Sequence, residues 1–278
     1  MSISWRTIRN NILIYTPLIL ISIFMMLPFI WMLSTSFKLP EDVFGFPPTF
    51  ISSNSTLDNY IKLFRDNDIV RIVSNTFYVS AFSTALALFF TSLGGYGFAK
   101  FDFPFKRLSF AFLLATMVIP GAVTMVPSFV LMRYFGWVDT FWPLIVPGAA
   151  NAFGIFFFRQ YISTISDELL DAARIDGASE FGIYRQVVAP IIVPGMISLG
   201  LIFFMASWNN YLGPLIYLKS PELHTIPLAI SSYSGGVGET VYGVQMAMSV
   251  LSLIPLLIIF LLFQRRFVEG ITAGAVKG

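Results

Sequence analysis

Six apolar segments dominate this sequence, at about residues 12–36, 70–98, 108–132, 140–160, 190–217 and 243–264. Each is near or above the ~20 residues that a helix needs to cross a bilayer. None alternates in the manner of a strand, and backbone groups in hydrocarbon must be satisfied within their own segment. The pattern therefore predicts an all-α integral membrane protein with six transmembrane helices. Composition points the same way, with 56% hydrophobic and only 12% charged residues in a chain of 278. A soluble domain carries about 25% charged residues, so lipid must solvate much of this surface. The run from Ile12 through Trp31 is too long for a signal-peptide core, and no small-residue cleavage site follows it. It reads as a retained helix.

Lysine and arginine placement orients the segments. With the amino terminus cytoplasmic, eleven cations lie inside, among them Arg6, Arg9, Lys100, Lys106, Arg159, Arg174, Arg185 and Arg265, and six lie outside. Both termini are then cytoplasmic, as an even number of crossings requires. Two external regions are long, 37–69 and 218–242, and one internal connection, 160–189, is unusually rich in charge.

Several chemistries are excluded or left without support. No cysteine is present, which removes disulfides, thiol nucleophiles and cysteine-based zinc sites, and the one histidine, His224, reads as a solvated loop residue. The net charge is +2 with no basic stripe, so nucleic-acid binding is not suggested. No phosphate-binding Gly-x-x-x-x-Gly-Lys-Ser/Thr run occurs, and no hydrolase elbow or zinc-protease signature either. Gly94-Gly95-Tyr96-Gly97 follows a membrane helix, not a strand, and reads as a place of close helix approach.

The internal connection is the informative loop. Ser166 is placed to cap a helix, with Asp167 and Glu168 at its positive end and Leu169, Ala172 and Ala173 at helical spacing. Gly177 stands where a left-handed stop is needed. Ser179 and Glu180 open a second short helix with Phe181, Tyr184 and Val188 on one stripe, and Pro190 ends that helix or starts the next. Physics alone leaves two readings of this pair, an amphipathic connector at the interface or a rigid plug for a partner.

Asp171-Ala172-Ala173, then Asp176-Gly177-Ala178, Phe181, Pro190 and Pro194, resembles the Glu-Ala-Ala loop of ABC-importer permeases, in its carbohydrate branch. Gly95 to Lys100, Trp208-Asn209-Asn210-Tyr211 and Gly270 to Gly278 are similar to further motifs of the maltose-importer-like members, which have the type I importer fold. The family's leading glutamate is Asp171 here, shorter by one methylene.

This resemblance implies one transmembrane permease domain over 1–278, with the first helix and external loop in 1–69, a core in 70–265 and a tail in 266–278. It implies a coupling helix pair in 160–189, between the fourth and fifth helices. The contacts to an ATPase are expected at Asp171, Ala172, Ala173, Asp176, Gly177 and Ala178, with Phe181 and Tyr184 as apolar anchors. Expected partners are a second homologous permease subunit, two nucleotide-binding subunits that carry ATP and magnesium, and an extracytoplasmic solute-binding protein. The chain itself is expected to bind no cofactor or metal and to catalyse nothing. The setting implied is the plasma membrane of a bacterium or archaeon, and the cargo a sugar, an oligosaccharide or a glycerol phosphate ester. By position, Tyr233, Gly235 and Gly236 would meet the binding protein, or form a plain mobile loop. Gly274, Lys277 and Gly278 would insert between the nucleotide-binding subunits, or fray. Trp208, Asn209, Asn210 and Tyr211 would line the pathway, pack helices or sit in an interfacial belt. An ion-coupled secondary transporter is the competing class, but it usually needs ionisable groups inside the membrane. The apolar segments nearly lack them.

Overall fold

The computed structural model describes residues 5–52, 54–233 and 241–275, and side chains within 13–52, 54–233 and 241–264. The helices are α1 (Trp5–Thr35), α2 (Pro40–Val43), α3 (Asp58–Asp66), α4 (Ile69–Lys100), α5 (Lys106–Thr116), α6 (Gly121–Tyr134) and α7 (Trp142–Ile145). They continue with α8 (Ala152–Ile162), α9 (Asp167–Ile175), α10 (Glu180–Ile183), α11 (Ala189–Trp208), α12 (Leu212–Tyr217), α13 (Ile226–Ser232) and α14 (Tyr242–Ala275). Among the described residues no strand occurs.

Four stretches are long and apolar enough to cross a membrane: Leu13–Thr35, Ile69–Lys100, Glu180–Trp208 and Tyr242–Gln264. A fifth arises if α5 and α6, bent by 100° at their junction, are one span. Two expected helices are thus not straight rods. The third apolar segment breaks at Met117 to Pro120, where Pro120 is extended with φ −60° and ψ 133°. The fourth breaks into α7, a short tight turn at Pro147–Ala150, and α8. Pro143 and Pro147 lack the N–H donors a continuous helix needs. Asn151 then restarts the chain, its side chain accepting from the Gly154 amide at 2.9 Å.

The chain divides into two compact units, Met1–Ile69 with Ile230–Ile254, and Val70–Ala229 with Pro255–Gly278. In the first unit no carboxylate among the described residues pairs with the buried Lys38. Its ammonium donates to the Thr49 carbonyl at 2.5 Å and lies 4.1 Å over the Trp31 ring. The Asn59 amide nitrogen donates to the carbonyls of Ser36 at 3.0 Å and Lys38 at 2.8 Å, closing the turn after α1.

The second unit is built around α4. A Cβ on Gly95 would lie 2.5 Å from the Phe158 Cβ and 2.8 Å from the Arg159 amide nitrogen. A Cβ on Gly154 would lie 2.8 Å from the Thr91 methyl. Backbones of α4 and α8 therefore meet where both present glycine, the small-residue packing that membrane helices use. Below this crossing lies a core of Tyr96, Phe158, Ile162, Leu170, Ile183 and Val188, among others, which carries the charged loop.

Candidate functional site

The loop after α8 starts with a cap. Ser166 Oγ accepts from the Glu168 amide at 3.2 Å, and Asp167 and Glu168 occupy the first turn of α9. At its end Gly177 has φ +82°, the Gly177 amide donates to the Arg174 carbonyl at 3.0 Å, and the Ala178 amide donates to the Ala173 carbonyl at 3.1 Å. These are the paired closures of a Schellman stop. Ser179 Oγ next accepts from the Gly182 amide at 3.2 Å and caps α10.

The expected second short helix is not a separate element, which corrects the picture of a helix pair. α10 passes through a π-helical turn, Tyr184–Val188, straight into α11. Glu180–Trp208 is one stretch of 29 residues. Pro190 neither ends nor starts it. Lacking an N–H, Pro190 offers no donor to the fourth carbonyl before it, and the Ala189 amide bonds the Tyr184 carbonyl instead, five residues back.

α9 lies with Leu170 inward at 1% exposure, Ala173 half-buried beside it, and Leu169, Ala172 and Ile175 outward. Asp171, Asp176 and Gly177 are exposed and Ala178 is half-buried. Phe181 is exposed, but Tyr184 is buried, and its hydroxyl shares a 2.6 Å hydrogen bond with Ser92 Oγ of α4. The expectation of an outward Tyr184 anchor is thereby corrected, because the stripe it begins points into the core. Sequence reading missed Ile175, the most exposed apolar side chain of the loop at 86%. Apolar side chains of α9 are thus exposed as well as buried.

Polar bonds hold the loop to α4. The Lys100 ammonium donates to the Ile165 carbonyl at 2.5 Å and to Asp167 Oδ1 at 2.6 Å. The Tyr96 hydroxyl donates to Glu180 Oε2 at 3.0 Å. Arg174 donates to Asp171 Oδ1 at 2.7 Å and to Glu180 Oε1 at 2.9 Å, tying α9 to α10 across the turn. The Lys100 bond and charge hold the Asp167 carboxyl below its ordinary pKa. Bonds from Glu180 and Asp171 raise that of Arg174 further. Asp171 thus serves within the loop, where the short aspartate reach suffices. Tyr96 and Lys100 stand in a motif visible in the sequence, but their partners lie far along the chain.

Magnitudes separate the two kinds of bracing. An exposed ion pair contributes about 0.2–1 kcal/mol, whereas burying a Leu or Ile side chain contributes about 1.5–3 kcal/mol. Leu170 and Ile183, at 1% and 0% exposure, therefore seat the loop. The ion pairs add a smaller, solvent-screened contribution.

The remaining expected residues are scattered. Trp208 is buried, stacked on Phe204 with ring centroids 5.6 Å apart. It lines a cavity of about 880 Å³ with Asn75, Phe77, Tyr78, Phe82 and Phe141. The Asn209 amide nitrogen donates to the Met205 carbonyl at 2.9 Å, and Asn210 Oδ1 accepts from the Gly213 amide at 3.1 Å. Both serve the break between α11 and α12, and Tyr211 is exposed. The Tyr233 hydroxyl accepts from the Asn67 amide nitrogen. Gly235, Gly236, Lys277 and Gly278 lie outside the described residues, and Gly274 falls in the last turns of α14.

Comparison with known proteins places this geometry. Residues 87–273 match the family described as binding-protein-dependent transport system inner membrane component. The arabinooligosaccharides transport system permease protein AraQ of Bacillus subtilis (strain 168) is 38% identical over 224 residues, 80% of this chain and 79% of that protein. The lactose transport system permease protein LacG of Rhizobium radiobacter is 34% identical over 267 residues, 96% of each. The fold is similar to that of a chain in the crystal structure of a bacterial ABC transporter involved in alginate import. The TM-score is 0.81 at 22% identity, over 96% of this chain and 99% of that one. The chain belongs to the binding-protein-dependent transport system inner membrane components, and is a multi-pass, non-catalytic permease subunit of an ABC importer.

Proposed function

We propose that this permease carries a sugar or oligosaccharide, and that the loop 160–189 is the socket through which a separate ATPase drives it. The cargo class rests on relatives named for arabinooligosaccharides and lactose. The observation that carries the socket is the outer face of α9 and α10. Leu169, Ile175 and Phe181 stand exposed on elements whose opposite faces are buried. Exposed large apolar residues on a braced helix suit a helix-in-groove partner, and Asp171, Ala172, Asp176 and Gly177 are exposed with them, while Ala173 and Ala178 are half-buried against the core.

The rest of the assembly follows this reading. Six crossings arise if α5 with α6 forms one span and the segment from Trp142 to Ile162 another. The cation count then sets both termini and the loop in the cytoplasm, within one permease domain. A second homologous permease subunit completes the pathway, two nucleotide-binding subunits hydrolyse ATP, and an extracytoplasmic binding protein delivers cargo near Tyr233, Gly235 and Gly236. Trp208, beside the aromatic cavity, suits a pathway residue because aromatic faces stack on sugar rings. The carboxy-terminal Gly274, Lys277 and Gly278 reach the nucleotide-binding subunits.

Ile175→Asp tests the socket. It puts a charge where the partner groove is apolar, on a side chain that is 86% exposed. The expected result is a permease pair that assembles and purifies without its ATPase. Retained ATPase with full ATP-driven uptake would overturn the reading.

A further inference from the structure

Two long helical stretches contact the docking loop, and they differ in composition. The α10–α11 stretch contains the π-helical turn Tyr184–Val188, and both Pro190 and Pro194 withhold backbone donors. α4 runs 32 residues and contains no proline. Among the four described stretches long enough to cross a membrane, it alone lacks one, since α1 holds Pro17 and Pro28 and α14 holds Pro255. Proline removes a helical hydrogen bond and kinks the axis, and a π-turn is a common place for a helix to yield.

α4 is not covalently next to the loop, yet three of its side chains grip it. Ser92 shares a hydrogen bond with Tyr184 at 2.6 Å, Tyr96 donates to Glu180 at 3.0 Å, and Lys100 donates to Asp167 at 2.6 Å. These contacts bracket Gly94, Gly95 and Gly97, the residues at which α4 could flex. Gly95 is further clamped against the α8 backbone at Phe158 and Arg159. Toward its other end the same helix supplies Phe77, Tyr78 and Phe82 to the aromatic cavity. From Lys100 to Phe77 the rise is roughly 35 Å at 1.5 Å per residue.

We infer that α4 is the element that carries ATPase movement from the docking loop to the aromatic cavity, with Ser92, Tyr96 and Lys100 as the positioning residues that make it follow the loop. The inference rests on the socket reading above. The π-turn at the base of α11 takes up part of any displacement, whereas the proline-free helix delivers it. Covalent continuity makes α11 the obvious lever; the hydrogen bonds and the missing prolines assign the larger share to α4.

The absence of cysteine gives a direct experiment. Phe82→Cys on α4 and, separately, Ile202→Cys on α11 report local exposure through labelling by a charged maleimide. The complete complex in proteoliposomes is compared nucleotide-free and trapped with ATP and vanadate. The Phe82→Cys labelling rate should differ between the two states by about ten-fold, the range of a coupling free energy between sites. Combining Ser92→Ala, Tyr96→Phe and Lys100→Met should abolish that difference while the ATPase stays bound and the Ile202→Cys difference persists. Lys100→Arg with the other two residues native should keep it. An undiminished Phe82→Cys difference in the triple variant would overturn the inference, as would the absence of any difference in the reporter alone. Loss of the ATPase from the triple variant would also overturn it, because the tether would then be shaping the docking face. Failure of the socket reading itself shows separately, as ATPase retained by Ile175→Asp.

Discussion

Arg174 and Glu180 meet across the turn at Gly177, with Nε 2.9 Å from Oε1 and Nη2 3.5 Å from Oε2. The planar guanidinium bridges two helical elements in a way that a lysine ammonium does not reproduce. Both side chains are more than a third exposed, so solvent screening leaves the pair little weight in stability. Arg174→Lys should leave thermal stability essentially unchanged yet lower transport per ATP hydrolysed. Uptake and hydrolysis measured together on reconstituted complexes check this, and an unchanged ratio would count against a role in coupling.

Gly177 offers a second test. Nothing lies within 4 Å of a Cβ built there, so space does not restrict the position, but φ is +82°. Left-handed backbone costs a β-branched residue about 1–2 kcal/mol, and Asn least among the side-chain-bearing residues. Gly177→Val should therefore weaken the α9 stop and coupled transport, and Gly177→Asn should retain most of both. Equal loss in the two variants would mean that crowding by the docked partner, not the backbone, sets the requirement.

Gly95 and Gly97 lie two residues apart on α4 and should respond in opposite ways. A methyl on Gly95 meets Phe158 Cβ at 2.5 Å and the α8 backbone at 2.8 Å, whereas one on Gly97 meets nothing within 4 Å. Gly95→Ala should force α4 from α8 and destabilise the protein by about 1–3 kcal/mol. Gly97→Ala should be neutral or stabilising by up to about 1 kcal/mol. Melting temperatures in detergent decide between them.

Asp139 supplies a pH dependence. It has φ +64°, and its carboxylate accepts from the Ser220 hydroxyl at 2.5 Å and from the amides of Ser220 and Lys219 at 2.9 and 2.8 Å. Those donors hold its pKa down to about 2, against an ordinary 3.8. A depressed carboxylate contributes stability above its ordinary pKa, and loses it as pH falls through the folded value. The strap from 137–141 to 217–220 should thus be intact above about pH 4 and loosen toward pH 2. Hydrogen exchange at the Lys219 and Ser220 amides should show it, and Asp139→Asn should show fast exchange there even at neutral pH.

The sequence by itself determined that the chain is helical and lipid-solvated, because twenty-residue runs without charge have no other stable solvent. It also determined both ends of α9, since the Ser166 cap and the Gly177 stop are local hydrogen-bond and φ requirements that neighbouring residues satisfy. The resemblance of Asp171 to Pro194 likewise pointed to a family that the comparisons bear out.

Tertiary structure decided the rest. The bend between α5 and α6 needed a choice, since proline in an apolar run either kinks a helix or breaks it, and only packing selects between them. Facing was likewise undetermined, because α9 carries apolar residues on two sides. Leu170 turned inward only because the Tyr96 and Ile183 core waits there, which left Leu169 and Ile175 outside. The links from Tyr96 to Glu180 and from Lys100 to Asp167 join residues 84 and 67 positions apart. Periodicity carries no information over such separations. Thus the apolar runs that committed the chain to a membrane were legible at once, whereas the bonds that bind its loop to α4 exist only after the helices have packed.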